Sequence, residues 1–234
     1  MVDARFVIGI VGNIISFGLF LSQIPTYVKI VKRKDVENFS PNPALATMLN
    51  CAMWVFYGLP FVHPHSTLVW TINGIGLLME AIYIIIYLCY ANNRSRLIVM
   101  GKLLAILAIV SVIDVSVLEA AHGTKRRTLI VGIICIVLNI LMYAMPLDSA
   151  WTVWKTKSVE YMPFWLLLAN LCNGAIWAVY GLLPYDFNLV VCNGAGFGLG
   201  VLQVGLYTYI SCHYPQEKKG GNEVELATTG DANV

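Results

Sequence analysis

Asn50-Cys-Ala-Met-Trp54-Val-Phe-Tyr57-Gly58-Leu59 decides the fold, because it is written a second time as Asn173-Gly-Ala-Ile-Trp177-Ala-Val-Tyr180-Gly181-Leu182. Asn, Trp, Tyr, Gly and Leu return at identical spacing, at a constant offset of 123 residues. Upstream, Lys34, Val36 and Glu37 return as Lys157, Val159 and Glu160. A unit this long is no solenoid repeat; it describes one half-molecule used twice. Both copies sit inside apolar runs, so each carries an amide and an indole to the same depth in its surroundings.

Those surroundings are a bilayer. Of 234 residues, 58% are hydrophobic and 12% charged, with a mean hydropathy of +0.72. A soluble domain carries about 25% charged residues, so this chain cannot cover itself with a wetted surface. Its polar residues fall in short clusters between runs long enough to cross the hydrocarbon core. The net charge of +2 gives nucleic acid nothing to bind. The six cysteines show no CxxC or zinc-ligand spacing and read as reduced packing residues, so no metal or other cofactor is expected. No charged segment precedes a cleavable site, and the first apolar run is read as the first mature helix.

The apolar runs predict helices near 5–31, 43–62, 66–91, 97–119, 128–150, 161–183 and 187–212. Three spans per half cannot place both halves the same way up unless an odd number of spans joins them. The reading is therefore an all-α integral membrane protein of 3+1+3 architecture: two parallel three-helix bundles, residues 1–96 and 121–212, joined by an inversion linker helix over 97–120. The segment 213–234 is polar and aperiodic and is expected to be a disordered cytosolic tail. The basic residues Lys32, Arg33, Lys34, Arg94, Arg96, Lys102, Lys155, Lys157, Lys218 and Lys219 share one side, against Arg5, Lys125, Arg126 and Arg127 on the other. The positive-inside rule then places the N-terminus outside or in a lumen and the C-terminus in the cytosol. The sequons Asn38-Phe-Ser40 and Asn93-Arg-Ser95 land on the cytosolic side and should stay unmodified.

Several strings together resemble the SWEET sugar transporters of the MtN-saliva type, most closely the plant members: Gly12-Asn-Ile-Ile-Ser-Phe17, Thr71-Ile-Asn-Gly74, Lys155-Thr-Lys-Ser-Val-Glu-Tyr-Met-Pro-Phe164 and Asn193-Gly194. The resemblance runs from about Arg5 to Cys212. It implies bidirectional, facilitated diffusion of mono- or disaccharides by alternating access, in the plasma or vacuolar membrane. It also implies homo-oligomers, often trimers, in which each protomer keeps its own pathway.

Sugars have apolar C–H faces and a rim of hydroxyls, which suit an indole plane and a neutral amide. Trp54 and Trp177 lie one helical turn from Asn50 and Asn173, so each pair shares a helix face. The resemblance maps the sugar-contacting amides onto Asn73 and Asn193 and the flanking aromatics onto Trp54 and Trp177. Asn50 and Asn173 match positions that tune the pocket, and Ser16, in the first of the matching strings, joins the substrate-binding set. An interhelical hydrogen bond is the other use for each Asn, and an interfacial belt the other use for Trp, which suits Trp151 and Trp154 better. The resemblance also carries over four gating prolines: Pro43, Pro146 and Pro163 match, while Gln23 stands at the fourth position. Without that proline the first helix is expected to straighten, slowing or biasing the gate.

Glu80 and Asp114 lie within spans and are suspects for proton relays, yet neither is duplicated, since 123 residues beyond Glu80 stands Gln203; structural pairing is the reading preferred. His63 and His65 flank Pro64 with too few neighbours for a metal site. Gly194, Gly196, Gly198 and Gly200 read as close helix packing rather than a dinucleotide loop. No nucleophile–base motif points to an enzyme. The rivals left open are a proton-coupled amino-acid carrier of PQ-loop type and a seven-helix receptor; the first wants an acid at the central site, the second seven unique helices.

Overall fold

The computed structural model describes residues 3–37 and 39–215, apart from the side chains of Ala144, Met145 and Tyr161. Asn38 of the first sequon lies outside the described residues. So does most of the tail expected to be disordered, although its first residue, His213, ends the last helix.

Nine α-helices make seven crossings among the described residues. The first crossing is α1 (Ala4–Leu21) and α2 (Ile24–Arg33), followed by α3 (Asn42–Gly58), α4 (Thr67–Tyr90) and α5 (Asn93–Ala120). Then come α6 (Thr124–Met142) with α7 (Ala144–Thr156), α8 (Phe164–Gly181) and α9 (Phe187–His213). Six crossings are long and apolar enough to span by length and composition. The seventh, α3, stops at Gly58 rather than near residue 62 and has 17 residues. That is about 26 Å of helix, the short end of the spanning range.

Within each half the third helix sits between the other two: α4 packs on α1 and α3, and α9 on α6 and α8. Across the halves, α1 packs on α8 and α6 on α3, so the first helix of each half meets the second helix of the other. The two halves point the same way. Arg5 at the start of α1 donates to the His65 carbonyl, and Arg127 and Thr128 at the start of α6 donate to Phe61 and Val62. Both first helices therefore begin at the loop 59–66, which marks the N-terminal end of the molecule. The linker α5 lies outside, presenting Leu97, Leu104, Leu107, Val112 and Val115 to the lipid. At the opposite end Trp151 and Trp154 are also exposed, with the ammonium groups of Lys155 and Lys157 at 5.0 and 3.8 Å from their rings. That fits the interfacial belt.

Core packing divides along the membrane normal. At the N-terminal end one cluster (Met53, Trp54, Tyr57, Val131, Cys135, Trp177, Tyr180) draws on both halves. Towards the other end the packing splits. Tyr27, Ile30, Leu45, Tyr83 and Tyr87 belong to the first half, while Val153, Met162, Leu167 and Ile210 belong to the second. The halves are joined at one end and separate at the other.

The first helix does not straighten at Gln23. Chain α1 ends at Leu21 and α2 begins at Ile24, mirroring the break at Tyr143 between α6 and α7. Pro25 still withdraws an N–H and crowds the preceding turn whatever stands at 23, and Ser22 Oγ takes the Leu19 carbonyl at 2.6 Å. Pro43 and Pro163 stand at helix starts, as the second residue of α3 and the N-cap of α8, where a missing N–H removes no bond. The repeat offset also changes. The loop 59–66 becomes 182–186 in the second half, three residues shorter, so Asn73 answers Asn193 at an offset of 120. Glu80 then answers Gly200 rather than Gln203, and it remains unduplicated. Of the alternating glycines 194–200 of α9, Gly196 packs under the Tyr143 hydroxyl and Gly200 against Leu171, while Gly194 and Gly198 have open space beside them.

Candidate functional site

A cavity of about 560 Å³ lies between the halves, below the shared cluster. Ser16, Asn50, Trp54, Asn73, Asn173, Trp177 and Asn193 all line it, together with Pro146 and Pro163; Gln23 and Pro43 do not. The helices place these side chains by simple periodicity, one turn separating each Asn from its Trp.

Hydrogen-bond directions follow from what each group can give. The indole of Trp177 donates to Ser16 Oγ at 3.0 Å, so Ser16 spends its proton on Asn173 Oδ1 at 2.6 Å. Asn173 keeps its amide protons for the cavity. Asn50, its counterpart, has a buried carbonyl oxygen with no partner. Asn73 and Asn193 behave alike, each giving one amide proton to the carbonyl a turn earlier, Val69 at 2.9 Å and Leu189 at 3.0 Å. Each is left an acceptor and one donor. Trp54 and Trp177 are both held edge-on by the tyrosine of their own signature, Tyr57 at 5.1 Å and Tyr180 at 5.2 Å. Across the described lining there is no Asp, Glu, Lys, Arg or His.

The N-terminal end is closed by polar contacts above the Trp pair. Tyr57 Oη is 2.8 and 2.9 Å from the two carboxylate oxygens of Asp186, and His63 Nε2 is 3.2 Å from Oδ2. Burial works to raise the Asp186 pKa. The His63 and Tyr57 contacts and the N–H of Leu189 outweigh it and hold the carboxyl below its ordinary range. At the other end, Glu80 is fully buried and accepts from Gln23 Nε2 at 2.6 Å, while Gln203 reaches the Pro146 carbonyl at 2.9 Å. Both bonds tie a third helix of a bundle to the break in its first.

Sequence reasoning missed two parts of this arrangement. Asn139 lines the cavity and lies 123 residues beyond Ser16, so the offset that exposed Gln23 against Pro146 would have found it. Asp186 was hidden because its counterpart at an offset of 120 is Ser66, and Tyr57 was read only as a mark of duplication.

Duplicated bundles around an uncharged cavity, joined at one end and parted at the other, define a membrane carrier. A family model described as "Sugar efflux transporter for intercellular exchange" matches the chain twice, over residues 6–95 and 129–219. The chain is 48% identical over 204 residues to the bidirectional sugar transporter SWEET7 of Arabidopsis thaliana, covering 87% of this chain and 79% of the relative. It is 46% identical over 225 residues to SWEET7b of Oryza sativa subsp. japonica, covering 96% and 84%. A eukaryotic SWEET transporter solved at 3.7 Å superposes with a TM-score of 0.86 at 35% identity, over 89% of this chain and 97% of that one. The chain belongs to the SWEET family of sugar transporters.

Proposed function

We propose that this chain carries a mono- or disaccharide passively in either direction, exposing one central site alternately to the two sides of the membrane. The observation that supports this most is the cavity lining: two indoles, six asparagines, and no Asp, Glu, Lys, Arg or His. Trp54 and Trp177 offer planes to the sugar's C–H faces. Asn50, Asn73, Asn173 and Asn193 read its hydroxyls, with Ser16 fixing the orientation of Asn173. Neutral hydrogen bonds contribute only about 0.5–1.5 kcal/mol net each, so binding is weak and release easy. A proton-coupled amino-acid carrier would need partners for an ionised carboxylate and ammonium, which the described lining lacks. Glu80 lies outside that lining, held by Gln23.

The N-terminal end, with Tyr57 and Asp186, is the outer gate. The end of α2 and α7, rich in basic residues, faces the cytosol. The core cluster shared at the N-terminal end and split at the other supports a conformation closed on the outside and open towards the cytosol. Pro146, Pro163, Pro43 and Gln23 mark the helix breaks and starts about which the halves rock. The family likeness supports homo-oligomers in a plasma or vacuolar membrane, each protomer with its own pathway.

Counterflow of radiolabelled sugars in proteoliposomes tests the reading, with Asn73→Ala and Asn193→Ala beside the unsubstituted chain. Flux in the unsubstituted chain and a marked loss in both variants is the expected result. Equal flux in all three overturns the site, and no flux of any sugar overturns the function.

A further inference from the structure

We propose that the cavity holds a second sugar subsite on its way to the cytosol, built by the second half alone, where Asn170 and Ser149 take the hydroxyls of a pyranose ring. The inference rests on the reading that Trp54, Trp177 and the asparagines beside them bind sugar at the centre.

The cavity is longer than one ring needs. Asn193 and Gln203 both line it, and they stand ten residues, about 15 Å, apart along α9. A pyranose held between the two indoles leaves the far end of that length unfilled. Gln203 bounds this end, with one amide proton committed to the Pro146 carbonyl. Asn170, within it, repeats the bonding of the central amides. Its Nδ2 donates to the carbonyl a turn earlier, Leu166 at 2.9 Å, as Asn73 does to Val69 and Asn193 to Leu189. One donor and the amide oxygen remain, and Asn170 is exposed in the cavity it lines. Ser149 adds a hydroxyl, which both donates and accepts.

Helix contacts set the spacing. Gly200 packs on Leu171, the neighbour of Asn170, and Gln203 reaches Pro146. Three residues separate Gly200 from Gln203 and three more separate Pro146 from Ser149, which puts the two polar groups about 9 Å apart along the axis. One pyranose hydrogen-bonded at both ends bridges such a gap. Pro163 and Leu166 line the same cavity and offer apolar surface to the ring's C–H face.

The first half does not match this arrangement. Thr47 answers Asn170 at the offset of 123 and lines the cavity, but Thr26, which answers Ser149, does not. Tyr83 answers Gln203 at the offset of 120. Its ring stacks on Tyr27 with centroids 4.3 Å apart, and its hydroxyl is spent on the Phe20 carbonyl at 2.9 Å. Where the second half has Gly200, the first has Glu80, held by Gln23. Side chains fill on one side what stands open on the other. A sugar leaving the centre thus changes one set of neutral hydrogen bonds for another before it meets bulk water, and regains its hydration in two steps instead of one.

The test is photolabelling of the full chain in lipid nanodiscs with a glucose that carries a diazirine, using excess plain glucose as competitor and mapping the adducts to residues. Adducts on α3 near Trp54 report the centre, and adducts on α7 near Ser149 report the subsite. Both are expected, and both should be competed away. Asn170→Ala should lower the α7 adducts about 3- to 10-fold, the size of one neutral hydrogen bond, and leave the α3 adducts in place. Ser149→Ala should do the same, and Asn73→Ala should lower the α3 adducts. Competed adducts on α3 alone overturn the subsite and leave the central reading standing. So do α7 adducts that glucose does not compete or that persist in full in Asn170→Ala, which mark a merely wet passage. Adducts at both places that fall together in Asn170→Ala and in Ser149→Ala overturn it too, as the sign of a structural role. No competed adduct at either place overturns the central reading and the subsite with it.

Discussion

Asn73 and Asn193 each hold back one amide proton for their own helix, and this fixes what they offer a ligand: one acceptor and one donor, aimed from opposite sides of the cavity. Removing either by substitution to Ala should raise the sugar's half-saturation about 3- to 10-fold in a counterflow titration, the size of one neutral hydrogen bond. Gln23 is a different case. It does not line the cavity, but its amide is the partner of the fully buried Glu80, whose second oxygen already lacks one. Gln23→Leu should therefore lower the stability of the purified carrier by about 1–3 kcal/mol in thermal melts, as expected for orphaning a buried polar group. Gln23→Pro should alter the rate of sugar exchange while leaving the break in place, since Pro25 already makes that break. Unaltered exchange would remove Gln23 from the gating set. The duplicated Asn and Trp were legible because their spacing repeats without error. The Gln23–Glu80 bond was not, because it joins two residues that the repeat leaves unmatched and that only the fold brings together.

Helix packing here relies on absent side chains rather than on apolar drive, since the lipid is as apolar as the helices. Gly76 of α4 shows this: a Cβ there would strike the Phe20 ring and lie 2.9 Å from Cys51 Sγ. Gly76→Val should cost about 1–3 kcal/mol in thermal melts through overpacking. Gly205→Ala in α9, with nothing within 4 Å, should be neutral or slightly stabilising. Apolar runs announced the spans well. Their ends were less visible, because α3 stops at Gly58 in favour of a turn whose residues are themselves apolar, Leu59, Phe61 and Val62. Nor does hydropathy distinguish a continuous helix from the broken pairs α1–α2 and α6–α7.

Two halves the same way up, bridged by α5, give the molecule its topology, and topology makes a prediction independent of transport. When the chain is made in microsomes, Asn93, the first residue of α5 and at the end proposed above to face the cytosol, should receive no sugar chain. Glycosylation there would reverse the orientation drawn from the basic residues. The sequence announced the duplication and hence the residues that line one shared cavity. It concealed how unequal the halves are, because a three-residue difference in one loop breaks the offset of 123, and at the structural offset of 120 Asp186 is answered only by Ser66. That inequality reaches into kinetics. A passive carrier obeys detailed balance, so the ratio of maximal rate to half-saturation must be the same inward and outward. Nothing requires the two terms separately to match. With Asp186, Tyr57 and His63 in contact on one side of the N-terminal end and only Ser66 opposite, entry and exit should saturate at different concentrations. At low sugar the two directions therefore run alike, and the asymmetry shows only where one side saturates before the other, while both compartments still reach the same final level.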